Sequence, residues 1–166
     1  MKRTSILFVC MGNICRSPLA EGVFSHLIAE AGLSDRFLID SAGTGSWHVG
    51  DEPDKRSIAT ARHHGIDISA QRARRIREHD FADFDLIVAM DRNNVAALKA
   101  LDPDAGNIHL FGDLALGSGE DIPDPYYGGA DGFEAVYARL LAGCRKLLST
   151  LGADSASRSG NTSSVR

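Results

Sequence analysis

The sequence has little cysteine: three residues in 166, an odd count that excludes a disulfide framework. Thiols used this sparingly belong to a reducing compartment, where they serve chemistry or packing. A long apolar run is also missing. The amino-terminal run extends only from Ile6 to Met11 before Gly12 and Asn13 break it, too short for a secretory core region or a spanning helix. We therefore expect a cytoplasmic protein with no membrane insertion, and secretion by a route without a cleavable signal is compatible with the same reading. No excess of basic charge exists: 18 Lys+Arg against 22 Asp+Glu give a net charge of -4. That balance excludes a dedicated nucleic-acid binder or a basic membrane-surface protein, and leaves open the binding of a small anion. No internal repeat is present, and no Gly-Lys-Ser/Thr follows the glycines as a Walker loop requires.

What is present fits one globular domain: 43% apolar and 24% charged residues in a chain of ordinary single-domain length. The composition changes at Gly152, so the folded domain is expected over residues 1–151, with a disordered Ser-rich tail over 152–166. Within the domain, short apolar runs alternate with amphipathic stretches. Ile6-Leu7-Phe8-Val9 reads as a buried strand. Ser17-Pro18 reads as a helix start, with Ser at N-cap and Pro at N1, and the helix closes at Gly32. A second strand is expected over Phe37–Ala42, a loop over Gly43–Pro53 and a helix from Lys55 to His64 ending at Gly65. Leu86–Ala89 reads as a third strand, Asp91 as the cap of a helix through Leu98, and Ile108–Phe111 as a fourth strand. Gly112 to Gly132 reads as a long loop, and Phe133 to Leu151 as a helix with Cys144 in its apolar stripe. Strands alternating with helices define an α/β fold, here a three-layer doubly wound sandwich around a central, four-stranded parallel sheet. Ligands of such sheets sit beyond the carboxyl ends of the strands, which places the segment after Val9 at the expected site.

That segment, Cys10-Met11-Gly12-Asn13-Ile14-Cys15-Arg16-Ser17-Pro18, joins a buried strand to a helix N-terminus, where free backbone N–H groups favour an anion. Gly12 and Asn13 tolerate positive φ, which lets successive N–H groups turn inward as a nest. A Cys at the head of the nest is placed to react as a thiolate. Arg16 offers a planar fork to two oxygens of one phosphate, and Ser17 a hydrogen bond to the sulfur. The same residues could otherwise form a plain βα turn; the strand-to-helix setting, the Gly-Asn pair and the Ser-Pro together favour the chemical reading.

Cys10 to Pro18, followed by Leu19-Ala20-Glu21, resembles the signature of the low-molecular-weight protein tyrosine phosphatases. Asp40-Ser41-Ala42-Gly43, Trp47-His48-Val49-Gly50, His64-Gly65-Ile66, Met90-Asp91 and Asp124-Pro125-Tyr126-Tyr127 extend the resemblance through the folded region. It implies a protein-tyrosine phosphatase that hydrolyses phosphotyrosine through a phosphocysteine on Cys10, with Arg16 holding the phosphoryl oxygens and Asp124 as general acid, then base. It further implies no metal and no cofactor. Phosphate or substrate contacts are assigned to Met11, Gly12, Asn13, Ile14, Cys15 and Ser17, with Trp47 and Tyr126 as aromatic walls. Ser41 and His64 are implied as hydrogen-bonding supports of Asn13, although His64 also reads as an ordinary helix-end histidine. Cys15 resembles a second thiol able to capture Cys10 in a reversible disulfide, or is simply a small buried side chain. Tyr126 and Tyr127 match positions that can themselves be phosphorylated. Ile14, apolar at the pocket base, favours phosphotyrosine over phosphoarginine. Partners implied are phosphotyrosine proteins, a tyrosine kinase among the candidates, in a signalling role; a monomer or a weakly self-associating protein is expected. The basic run Arg72, Arg74, Arg75 and Arg77 reads as a solvated face or a recruiting patch.

Two rivals make different demands. A thiol-dependent arsenate reductase needs two later cysteines close together, and only Cys144 follows. A non-catalytic phosphotyrosine-binding module would be expected to lack Cys10, Arg16 or Asp124, and all three are present. Zinc is disfavoured by the spacing of Cys10 and Cys15 and by the apolar setting of Cys144.

Overall fold

In the computed structural model, which describes residues 3–164 and side chains as far as residue 152, the apolar runs become four parallel strands. These are β1 (Thr4–Cys10), β2 (Phe37–Gly43), β3 (Leu86–Ala89) and β4 (Ile108–Leu110), in the order β2-β1-β3-β4. The helices are α1 (Arg16–Glu30), α2 (Lys55–His63), α3 (Asp80–Asp83), α4 (Arg92–Leu101) and α5 (Ala130–Ser164). The strand run Ile6–Val9 is apolar without alternation because both faces of β1 are covered. Ile6, Phe8 and Cys10 enter one core with residues of α1, α2 and α5, including Phe24, Ile58, Leu140 and Cys144. Leu7 and Val9 enter a second core with Phe81, Phe84 and Leu98. The result is the expected three-layer doubly wound α/β sandwich around a four-stranded parallel sheet. Strand order reverses on either side of β1, so the switch point of the sheet opens at the end of β1, where Cys10 stands.

Several element ends differ from expectation, each for a local reason. Helix α1 begins at Arg16, with Cys15 at the cap position and no side-chain cap. Ser17 is therefore not the N-cap: its hydroxyl is engaged by Cys10 and Asn13 instead. Pro18 is the third helical residue, where its missing N–H is one the helix could not have paired. At the far end the chain leaves α1 through Gly32 at φ 70°. The expected loop Gly112–Gly132 contains a π-helical turn, Gly112–Leu116, and yields to α5 already at Ala130. Leu114, Ala115 and Leu116 pack this turn on the core, an apolar contribution hidden by the surrounding Gly and Asp. Helix α5 also continues past Leu151, the last apolar side chain packed on the core among the described residues. The stretch 152–166 expected to lack structure is thus helical as far as Ser164, and a domain boundary at residue 151 remains our proposal, resting on where core packing ends.

Candidate active site

Adjacent parallel strands end level: Cys10 pairs with Gly43 at the last position of β1 and β2. The loop leaving Cys10 then folds over the end of β2. A Cβ on Gly43 would lie 2.8 Å from the carbonyl oxygen of Met11 and 3.2 Å from Cβ of Asn13, so only glycine lets the loop settle there. Within the loop Asn13 adopts φ 57°, the sole non-glycine in the left-handed region among the described residues. Its side chain compensates. Asn13 Oδ1 accepts the backbone N–H of Arg74 at 3.0 Å, while Nδ2 donates to Ser17 Oγ at 2.7 Å and Ser41 Oγ at 3.0 Å. Because the Arg74 N–H can only donate, the orientation of the amide is fixed. Ser17 Oγ, accepting from Asn13, is left with its own hydrogen to direct at Cys10 Sγ, 3.0 Å away. Ser41 in turn donates to Glu21 Oε1 at 2.7 Å. A chain of four hydrogen bonds thus runs from the nucleophile position to Glu21, whose carboxyl burial pushes up to about 7.

Arg16 is 98% buried by its surroundings, with only 2% of its surface exposed. Its Nη1 donates to Asp91 Oδ2 at 2.6 Å and to the carbonyl of Ile122 at 2.9 Å, and Nη2 lies 3.7 Å from Asp124 Oδ2. Burial alone would lower the pKa of this guanidinium, but Cys10, Asp91 and Asp124 reverse the effect and raise it. Asp91 serves two elements at once. Its Oδ1 caps α4 by accepting the Asn94 N–H, the cap legible in the sequence, and its Oδ2 orients Arg16. Asp124 forms the turn its Asp-Pro sequence implies, accepting the Tyr126 N–H at 3.0 Å.

A cavity of about 440 Å³ opens over the loop, lined by Cys10, Met11, Gly12, Ile14, Cys15, Arg16, Trp47, His48, Asp124, Tyr126 and Tyr127. Every residue expected in direct contact with substrate lines it except Asn13 and Ser17, which stand behind the loop and brace it. Its base is packed by Ile14 and Cys15 against Ala73 and Phe133. Trp47 lines the cavity and is largely exposed. Burial, reinforced by Asp54 and Cys10, pushes the Cys15 thiol far above the ordinary cysteine range. Cys144 is fully buried in the core, as its stripe position indicated, and burial raises its thiol likewise.

His64 departs from its expected place. Its Nε2 faces Glu134 Oε2 at 2.9 Å and its ring stacks on Tyr137, with centroids 3.8 Å apart, so it supports the α2–α5 contact and makes no bond to Asn13. The partner of Asn13 on that side is the Arg74 backbone. Nor is the arginine run uniform: Arg74 ties Asp40 at 3.1 Å to Asp80 at 2.9 Å, while Arg72 bonds the carbonyls of its own turn. For three further contributors, Glu21, Arg74 and Arg56, the sequence shows the residue but not its use here, because the partners that tie each to the site lie 20, 61 and about 70 positions away.

A doubly wound sheet that delivers Cys10, at the head of a C-x5-R loop, into a cavity also lined by Arg16 and Asp124 has the layout of the C-x5-R enzymes. Comparison with known families fixes which one. Residues 5–157 match the family model described as low molecular weight phosphotyrosine protein phosphatase, and the chain belongs to that family. It is 44% identical to the low molecular weight phosphotyrosine protein phosphatase of Sus scrofa over 148 residues, 87% of this chain and 93% of that one. Among solved structures it is similar to YfkJ from Bacillus subtilis, with a TM-score of 0.86 and 38% identity over 93% of this chain and 98% of that one. It is similar also to a protein tyrosine phosphatase from Entamoeba histolytica, with a TM-score of 0.85 and 35% identity over 92% and 99% of the two chains. The family sets aside the reductase reading, and no helix among the described residues is long and apolar enough to cross a membrane.

Proposed function

We propose that the protein hydrolyses phosphotyrosine in proteins to tyrosine and phosphate through a phosphocysteine, without a metal. The observation that carries this reading is the convergence of Cys10, Arg16 and Asp124 on one cavity with aromatic walls. In the first step Cys10 Sγ bonds to phosphorus as the bond from phosphorus to the aryl oxygen breaks, and the Asp124 carboxyl gives its proton to that oxygen. A phenolate leaves poorly unless protonated, so the acid must stand opposite the nucleophile. In the second step water attacks phosphorus, its proton passes to Asp124, and the sulfur leaves as a thiolate that accepts a hydrogen bond from the Ser17 hydroxyl. Loop N–H groups and Arg16 neutralise the transferring phosphoryl, the task a metal has in other phosphoryl transfers.

Ile14 at the cavity base supports an aromatic substrate over phosphoarginine. Faster turnover of a phosphoarginine peptide than of the matching phosphotyrosine peptide would overturn that preference. Cys15, a neutral thiol beside the nucleophile, is the resolving partner in our reading should Cys10 be oxidised. The partners we propose are cytoplasmic phosphotyrosine proteins, including a tyrosine kinase, acted on by a monomer or a weak self-associate. The decisive experiment is hydrolysis of p-nitrophenyl phosphate: Cys10→Ser is expected to abolish the vanadate-sensitive activity, and full activity in that variant would end the proposed mechanism.

A further inference from the structure

Two segments must keep register for this chemistry: the nucleophile loop and the loop that carries Asp124. The second has few ties of its own. Ile122 is anchored by donating to the Met90 carbonyl, but beyond it the outside hydrogen bonds reaching the loop backbone, among the described residues, both come from Arg56. Arg56 Nη2 donates to the Tyr126 carbonyl at 2.9 Å and Nη1 to that of Gly128 at 3.1 Å. Its guanidinium also sits over two rings, 5.5 Å from the centroid of Tyr126 and 4.6 Å from that of Phe133.

The other end of this contact is rigid. Arg56 stands in the first turn of α2, and that turn is fastened to the nucleophile loop twice. The Asp54 N–H donates to the Ile14 carbonyl at 2.8 Å, and Ser57 Oγ donates to the Cys15 carbonyl at 2.9 Å. Asp54, the N-cap of α2, grips the guanidinium of Arg56 through both carboxylate oxygens, Nε to Oδ1 at 3.0 Å and Nη2 to Oδ2 at 2.9 Å. The path from nucleophile loop to acid loop is therefore continuous: Ile14 and Cys15, the α2 cap, the Arg56 fork, then the carbonyls flanking Asp124 on its carboxyl side. A planar fork is required, because one side chain must meet a carboxylate edge and two carbonyls in different directions. A lysine ammonium on a flexible stem lacks that fixed geometry.

We propose that Arg56 is a positioning residue for proton donation, holding the Asp124 loop at the height over Cys10 that the leaving oxygen needs. This rests on the reading of Asp124 as the acid, and the effect expected of Arg56 is specific to it. Misplacing an acid slows departure of a basic leaving group, while a leaving group stable as an anion needs little help.

The test is kcat/KM over a series of aryl phosphates of rising leaving-group basicity, since that constant reports the step in which the aryl oxygen departs. Wild type, Arg56→Ala, Arg56→Lys and Asp124→Asn are compared, with inhibition by inorganic phosphate as the measure of the nucleophile loop. Arg56→Ala and Arg56→Lys are both expected to lose about tenfold or more on phenyl phosphate and under about threefold on p-nitrophenyl phosphate. Phosphate inhibition should stay within about threefold of wild type. A uniform loss across the series, rescue by lysine, or a parallel loss of phosphate inhibition would each overturn the proposal. A steep series for Asp124→Asn with flat ones for the Arg56 variants defeats Arg56 alone. A flat series for Asp124→Asn removes the acid reading itself, and the role of Arg56 with it.

Discussion

The two loops that meet over the cavity are held in opposite ways. The nucleophile loop is buried from Asn13 onward, with Met11 exposed and Gly12 half-buried, and its polar side chains Asn13, Arg16 and Ser17 are all bonded within the protein. The acid loop carries exposed Tyr126 and Tyr127 and is reached from outside mainly by the side chains of Arg16 and Arg56. The difference follows from what each must do. An anion cradle is effective only if its N–H groups and guanidinium point correctly before the substrate arrives, because reorganisation during the reaction would raise the barrier. In the proposed mechanism the acid has to meet a bulky leaving group, release it and then admit water, so it belongs on a segment open to solvent.

Breaking the contrast at the exposed loop should give the largest effect. Asp124→Ala is expected to lower kcat/KM for phenolic esters by about 10²–10⁴-fold, and esters with good leaving groups far less. Equal slowing of both kinds would take the acid role from Asp124. At the buried loop the damage should take another form. Asn13→Ala removes the side chain that sustains φ 57° and leaves Ser41, Ser17 and the Arg74 N–H short of a partner. We expect a loss of about 1–3 kcal/mol in urea unfolding, with turnover reduced alike for good and poor leaving groups. An unchanged unfolding midpoint would show that the loop holds its shape without this side chain. Trp47→Ala should raise KM for a phosphotyrosine peptide by about three- to tenfold through lost ring contact, leaving phosphate inhibition unchanged; weaker phosphate inhibition would place Trp47 nearer the anion than the rim.

The smallest effect concerns pH. Burial raises the Glu21 carboxyl from its ordinary 4.5 to about 7, with Asp40 adding to the rise while the Ser41 hydrogen bond and Arg74 oppose it. The folded protein therefore holds a proton there that the unfolded chain has already lost between those values. Its stabilising contribution is complete below 4.5 and lost as pH rises through about 7. Glu21→Gln, which keeps an acceptor for Ser41, should flatten the fall in stability over that window and be the more stable form above it. Identical pH–stability curves for the two proteins would contradict the shift.

Local signals made much of this molecule legible. The strand run Leu86–Ala89 and the Asp91 cap are plain in the sequence, because apolar runs and capping residues act over a few neighbours. The nucleophile loop was legible because its chemistry is contiguous in sequence. What escaped depends on distant partners. Ser17 is the exception, since its partners Cys10 and Asn13 are only 7 and 4 residues away, and its bond to the sulfur, legible in the loop, displaces the capping role. His64 lies in a motif beside the site, but the α2–α5 packing turns it to Glu134 and Tyr137. Arg74 sits in a run that looks solvated, and only folding brings Asp40 and Asp80 to it.

The alternation of β1 has one more consequence. Cys10 shares its face of the sheet with Ile6 and Phe8, while Leu7 and Val9 serve the opposite layer. A slip of one residue in that strand would carry the sulfur to the wrong side and drive every one of these large side chains into the wrong layer with it. Misplacement of the reactive atom by small increments is therefore unavailable to the folded chain. The sheet acts as an error-correcting frame, in which the packing of ordinary hydrocarbon protects the address of a single sulfur atom.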